Sequence, residues 1–208
     1  MDVETTYKNL LARHGQQGWW PLLTQDGQEF DDNGYHPGLY EAVSKQKQRY
    51  EVYLGSILTQ NTQWSNAQQA LNNLRTQIPL TPDAIQEINR DTLAEHITPA
   101  RYCNTKSTYL KAITTFFQNK THPTRQQLLN VNGVGPETAD TILLYAHQEP
   151  RIIADTYTER WLRDHNITIT GYDEIQAFLD NRFPRSYKER NELHALIVTD
   201  QKMRSSQP

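Results

Sequence analysis

The stretch LLNVNGVGPETADTILLYAHQEPRIIAD, residues 128–155, constrains this chain more than any other. An apolar run leads into Gly133-Val134-Gly135, and a second apolar segment opens at Pro136. Glycines on both sides of one valine make a turn that calls for positive φ at one or both. Proline suits the first helical position because its missing N–H would have no intrahelical partner there. Ala139, Ile142, Leu143 and Ala146 then recur at helical spacing and give the second arm a buried stripe. Such a corner can be plain packing between two helices. It also presents backbone N–H groups and a helix N-terminus, the arrangement that binds phosphate. Asp155 stands just beyond the second arm, either as N-cap of a helix starting at Thr156 or as an acid placed for chemistry.

The remaining periodicity is helical almost throughout, and the expected fold class is all-α. Helices are predicted at residues 3–14, 49–59, 66–75, 105–117, 125–130, 136–147, 156–164, 172–183 and 186–199. Thr81-Pro82-Asp83 and Asn89-Arg90-Asp91 signal the starts of two shorter ones. Residues 24–38 read as a polar loop within an insertion running to residue 47, either a cover for a pocket or a surface loop. Residues 151–154 are at most a short extended entry to Asp155, and residues 205–208 a frayed tail.

The bulk properties exclude several classes. Hydrophobic residues make up 36% of the 208 and the mean hydropathy is -0.80. No run approaches the ~18–20 apolar residues of a membrane span. The acidic, amphipathic N-terminus is no signal peptide, so a cytoplasmic protein is expected. A single cysteine, Cys103, excludes a disulfide framework and a four-cysteine iron–sulfur site. The seven histidines show no zinc spacing, and no P-loop or Rossmann glycine pattern appears. The net charge of -3 argues against non-specific nucleic-acid binding, but backbone amides need no cationic side chains to hold a phosphate.

VNGVGPETADTILLYA followed by IIADTYTERWL resembles the helix-hairpin-helix, Gly/Pro-rich loop and aspartate signature of the endonuclease III superfamily of DNA glycosylases. YLGSILTQNT at residues 53–62 and YCNTK at 102–106 extend the resemblance, and GWWP at 18–21 is similar to the 3-methyladenine DNA glycosylase III branch. The resemblance implies two helical subdomains with a pocket between them. One is a six-helix barrel at 49–150 containing the hairpin at about 125–147; the other joins 1–48 with 151–208. It implies an enzyme of base excision that flips damaged, alkylated bases out of double-stranded DNA, working as a monomer. An endonuclease III-like enzyme for oxidised or deaminated bases, or a non-catalytic DNA-binding module, are the alternatives.

By the same resemblance Asp155 is catalytic, since a carboxylate stabilises the positive charge that grows on the sugar as the base departs. Bifunctional members carry a lysine where this chain has Glu137, and a carboxylate cannot form a Schiff base, so efficient AP-lyase activity is not expected. Trp19, Trp20 and Trp64 match the aromatic surround of the flipped base, with Glu137 and Lys202 at the pocket. Trp161 reads as core; Trp20 could be core or pocket, and Lys202 a solvated tail residue. Gln60, with Asn61, matches the plug that fills the vacated stack, and Tyr102 a wedge or an ordinary half-buried tyrosine. Asn104, Lys106, Gly133, Val134, Gly135 and Thr138 match segments at the DNA backbone. The carbonyls of Leu129, Val131 and Val134 match a monovalent-cation site. No other cofactor is implied, and the iron–sulfur loop is missing.

Overall fold

Residues 1–25, 29–183 and 185–205 are described in the computed structural model, and among them no β-strand occurs. Eleven α-helices carry the described chain: α1 (Val3–His14), α2 (Gln46–Leu58), α3 (Trp64–Gln77), α4 (Pro82–Glu87), α5 (Arg90–His96), α6 (Cys103–Asn119), α7 (Arg125–Leu129), α8 (Pro136–His147), α9 (Thr156–Asp164), α10 (Tyr172–Arg182) and α11 (Tyr187–Ser205). A 3-10 turn, Thr98–Ala100, precedes α6. The span expected to hold six helices therefore holds most of seven. Local chemistry sets many of the ends. Asp2 accepts from Glu4 N and Thr5 N to start α1, and Thr81, Asn89 and Thr124 cap α4, α5 and α7. Pro136 stands in the first turn of α8.

Two hydrophobic clusters organise the packing. In the first, α2 and α8 lie against each other and are buried nearly all round, Val52, Leu54, Ile57, Ile142 and Leu143 having no exposed surface. Such side chains each contribute about 1.5–3 kcal/mol by leaving water. Tyr53 Oη meets His147 Nε2 at 2.8 Å while Gln60 Nε2 reaches Thr138 Oγ1 at 3.0 Å, so the two helices run antiparallel. Trp20, Leu22 and Val43 join this cluster, although residues 1–48 were expected with the termini. The second cluster packs Val3 and Leu10 of α1 against Trp161, Ile175, Leu179, Phe183 and Leu196. Trp161 is fully buried, in keeping with a core role.

One buried acid ties the clusters together. Asp140 of α8 accepts from Arg125 Nε and Nη2, from Tyr172 Oη and from Gln176 Nε2 at 2.9–3.2 Å. Ser205 is helical, contrary to the frayed tail expected there; residues 206–208 lie outside the described residues.

Candidate active site

Where the clusters meet, a cavity of about 410 Å³ opens, within the range of about 300–1,000 Å³ usual for small-ligand sites. Its walls come from the Trp19–Trp20 segment, the turn after α2, the first turns of α8 and α9, and one face of α11.

Asp155 sits at its inner wall. The side chain caps α9, accepting from Thr158 N at 2.8 Å through Oδ1, so the capping role read from the sequence is real. Capping occupies one oxygen. The other, Oδ2, faces His194 Nε2 at 3.4 Å, and 14% of the side chain remains exposed. Burial opposes ionisation of this carboxyl. The His194 contact and the Thr158 hydrogen bonds outweigh it and hold the group below its ordinary range. His194 Nδ1 in turn lies 2.6 Å from Tyr145 Oη. Tyr145 is 2% exposed, and burial, reinforced by Asp155 and Glu192, pushes its phenol far above the usual value, so it keeps its proton.

Glu137, in the first turn of α8, lines the same cavity and stays open to solvent at its mouth. The protein around it, and then the charge of Asp155, push its carboxyl up, against the pull of His194. Lys202 also lines the cavity, exposed, its ammonium 5.9 Å from the Tyr157 ring. Desolvation of its ammonium lowers its pKa and Asp155 opposes that shift.

Trp19, Trp20 and Trp64 all line the cavity. Trp20 and Trp64 meet edge to face, with centroids 5.0 Å apart and planes at 85°. Trp20 is 5% exposed, and Gly55 of α2 makes room for it, since a Cβ there would stand 3.0 Å from the indole. Trp20 is therefore both core and pocket wall. Trp19 and Trp64 are half-buried, and Trp19 packs edge-on against His194 at 5.8 Å. The carbonyls of this segment are held, Trp19 O by Asn191 Nδ2 at 3.0 Å and Trp20 O by the buried His36 at 2.8 Å. The insertion is thus partly a support for the pocket, and its Tyr35 lines the cavity.

Most residues matched to DNA contact lie on turns at one end of α2, α6 and α8. Gln60 Nε2 donates to Gly133 O at 2.8 Å and to Thr138 Oγ1 at 3.0 Å, while Thr138 itself is buried. Asn61 is exposed with φ +53 and lines the cavity mouth. Tyr102 is 66% exposed with φ +47 at the start of α6, so it is not half-buried; Asn104 is exposed two residues on. Gly133 takes φ +87, Val134 is tucked in at 7% exposure, and Gly135 precedes α8 with φ -92. Val131 O accepts from Val134 N at 3.0 Å, which closes the hairpin beside Leu129. Lys106 departs from expectation. It is 2% exposed and donates to Leu58 O at 2.6 Å and Ala100 O at 2.7 Å, so its ammonium cannot reach a DNA phosphate.

Sequence reasoning did not single out His194, Tyr145, Thr141, Tyr157 or Arg160, which also form the site. A signal for His194 existed: Asn191, His194, Val198 and Lys202 recur along α11 at the spacing of one helical face.

The model of the HhH-GPD superfamily base excision DNA repair protein family matches residues 54–185, a span holding the hairpin, Asp155 and most of α2–α10. The chain belongs to this family. "Putative DNA repair glycosylase MJ1434" of Methanocaldococcus jannaschii is 35% identical over 207 residues, covering 92% of this chain and 83% of that protein. Among solved structures, Helicobacter pylori 3-methyladenine DNA glycosylase (MagIII) bound to 1,N6-ethenoadenine is similar with TM-score 0.75 at 21% identity, over 98% of this chain and 99% of that one. An endonuclease III–DNA complex gives 0.74 at 15% identity, over 94% and 82%. The fold is thus that of the HhH-GPD glycosylases, and the chain is a base-excision DNA glycosylase by family. Among the described residues no group of His, Cys, Asp or Glu is arranged to hold a metal ion, and no helix is long and apolar enough to cross a membrane.

Proposed function

We propose that this protein is a monofunctional glycosylase that flips alkylated purines of the 3-methyladenine type from double-stranded DNA and hydrolyses their N-glycosidic bond. The observation that carries the reading is the convergence on one cavity of an ionised, nearly buried Asp155 and the indoles of Trp19 and Trp64. A purine nucleotide alkylated at N3 or N7 carries a positive charge. The base leaves neutral, so its departure needs no proton donor. Aromatic faces attract such a cation, and so do the carboxylates of Glu137 and Asp155. As the bond breaks, positive charge moves onto the sugar, where Asp155 stabilises it and accepts the proton of the attacking water. These carboxylates favour a cationic base over the neutral bases produced by oxidation or deamination. A non-catalytic clamp would need neither Asp155 nor the tryptophans.

In this reading Tyr102 wedges the duplex, Gln60 fills the vacated stack, and the Gly133–Gly135 turn with Asn61, Asn104 and Thr138 borders the backbone. The protein acts as a cytoplasmic or nucleoid-associated monomer. The base enters between the unit built from 49–150 and the one built from the terminal segments. By the family resemblance, the carbonyls of Leu129, Val131 and Val134 would hold a monovalent cation that stiffens the hairpin, and no chemical step passes through it. Lys202 lines the same cavity as Asp155, but the place of a Schiff-base lysine is held by Glu137.

The test is free-base chromatography after incubation with methylated duplex DNA. The wild type should release alkylated purines, Asp155→Asn should lose about 10²–10³-fold, and Trp64→Ala should lose cationic bases most. Unchanged release by Asp155→Asn overturns the catalytic assignment. Strand nicks appearing without heat or alkali overturn the monofunctional one.

A further inference from the structure

We propose that His194 is a positioning residue for Asp155, an imidazole whose tautomer is supported by Tyr145 and whose Nε2–H aims the carboxylate at the reacting sugar. The inference rests on the glycosylase reading for its kinetic consequence, while the geometry stands by itself.

Three separate parts of the chain build the relay. Tyr145 comes from α8, His194 from α11 and Asp155 from the extended entry to α9. The Asp155 carboxylate can only accept, so Nε2, which faces it, carries the ring proton of the neutral imidazole; Nδ1, 2.6 Å from Oη, then accepts from the Tyr145 phenol, which keeps its proton. The ring cannot swing away: Trp19 packs against it at 89°, the Tyr145 ring centroid lies 6.0 Å off, and 10% of the His194 side chain is exposed. Thr158 N holds Oδ1 and His194 holds Oδ2, so two donors from different elements fix the carboxylate plane. The contact of 3.4 Å is long for a hydrogen bond and leaves Oδ2 lone-pair density for the substrate. Catalytic hydrogen bonds of this kind tighten as charge develops.

The charged groups near this relay are few. Glu137 of α8 shares the cavity and is influenced by both Asp155 and His194. Lys202, two turns along α11, interacts with Asp155. Glu192 acts on Tyr145 from α11 but is turned toward Gln17 N and Tyr40 Oη. Arg160 of α9 lines the cavity beside Tyr157.

Single-turnover base release from methylated duplex DNA, followed across pH in the full chain, tests the role. In His194→Gln the amide nitrogen replaces Nε2–H, and the rate should stay within about threefold of wild type. His194→Phe keeps the packing and loses the donor. Its rate should fall at least about tenfold with DNA affinity unchanged, and the acid limb belonging to Asp155 should move to higher pH. Each unit of that movement costs tenfold below the limb. Tyr145→Phe frees Nδ1 and should slow the wild type, yet add nothing in the His194→Gln background, because glutamine has no tautomer to fix. Wild-type rate and limb in His194→Phe, or His194→Gln as impaired as His194→Phe, overturns the proposal. A wild type that releases no base sinks the glycosylase reading alone. For that case, long-range ¹⁵N–¹H NMR reads the tautomer directly: Nε2–H in wild type with a weakened preference in Tyr145→Phe is expected, and Nδ1–H in wild type overturns the relay with or without turnover.

Discussion

Gln60 donates from Nε2 to the carbonyl of Gly133 at 2.8 Å, so the residue matched to the plug is fastened to the hairpin before DNA arrives. That carbonyl belongs to a residue only glycine can supply. At φ +87, a Cβ on residue 133 would fall 2.1–2.4 Å from the Tyr109 ring of α6. The hairpin, the turn after α2 and α6 are thereby locked to one another through a single backbone position.

Gly133→Ala should therefore destabilise the protein by about 2–4 kcal/mol, combining left-handed strain with displacement of a packed ring. Gly135→Ala is the control: its φ is -92 and a Cβ there meets nothing within 4 Å, so stability should stay within about 0.5 kcal/mol. Thermal denaturation of both variants checks this. Equal losses would show that the turn tolerates no side chain anywhere.

Lys106 links the end of α2 to the 3-10 turn before α6. Its ammonium bonds Leu58 O, two residues before Gln60, and Ala100 O, two residues before Tyr102. Lys106→Met leaves both carbonyls without a donor, at about 1–3 kcal/mol each. DNA affinity should fall as well, because Gln60 and Tyr102 lose their common anchor. The dependence of that affinity on salt should not change, whereas removing a phosphate contact lowers the slope by about one. Fluorescence anisotropy over a salt series decides the matter: a shallower slope in Lys106→Met would place this lysine on the DNA.

The same residue shows what the sequence could and could not yield. Helices whose ends are set locally were legible to the residue: 136–147 opens on Pro136 and 156–164 on the Asp155 cap. Polar turns were not, and α2 begins at Gln46 and α11 runs on to Ser205. Arg204 and Ser205 hold that last turn through Asp200 and Gln201. Lys106 was misplaced because a lysine beside DNA-facing residues looks solvated. Its spacing with Leu110, Ile113 and Phe117 puts it on the buried stripe, and that pattern was the available warning. The Tyr145–His194–Asp155 relay spans separations of 49 and 39 residues, and only tertiary packing supplies such a register.

His147 predicts how stability depends on pH. Burial, aided by the charges of Arg49 and His122, lowers its pKa from 6.5 to about 4, and Tyr53 Oη meets its Nε2 at 2.8 Å. The folded protein thus resists a proton that the unfolded chain accepts. Stability is lost as pH falls from 6.5 toward about 4, by about 1–2 kcal/mol once partial exposure is discounted. His147→Gln keeps a partner for Tyr53 and cannot titrate. Melting curves should therefore show a steeper acid loss in wild type than in the variant, and parallel losses would assign the effect elsewhere.

Glu137 bears on selectivity. Its carboxyl is pushed up by its surroundings and by Asp155, whereas Asp155 is held down by His194 and Thr158. On acidification Glu137 takes its proton first. The cavity then loses one negative charge while Asp155 still works, so preference for cationic over neutral bases should weaken before the rate collapses. Glu137→Gln should show the weakened preference at every pH, by about threefold, a modest figure because the group is open to solvent and screened. The ratio of 7-methylguanine to hypoxanthine released, measured across pH for both proteins, provides the check. A wild-type ratio that stays flat, or a Glu137→Gln ratio that still changes with pH, would remove Glu137 from substrate selection and leave the aromatic faces to do it.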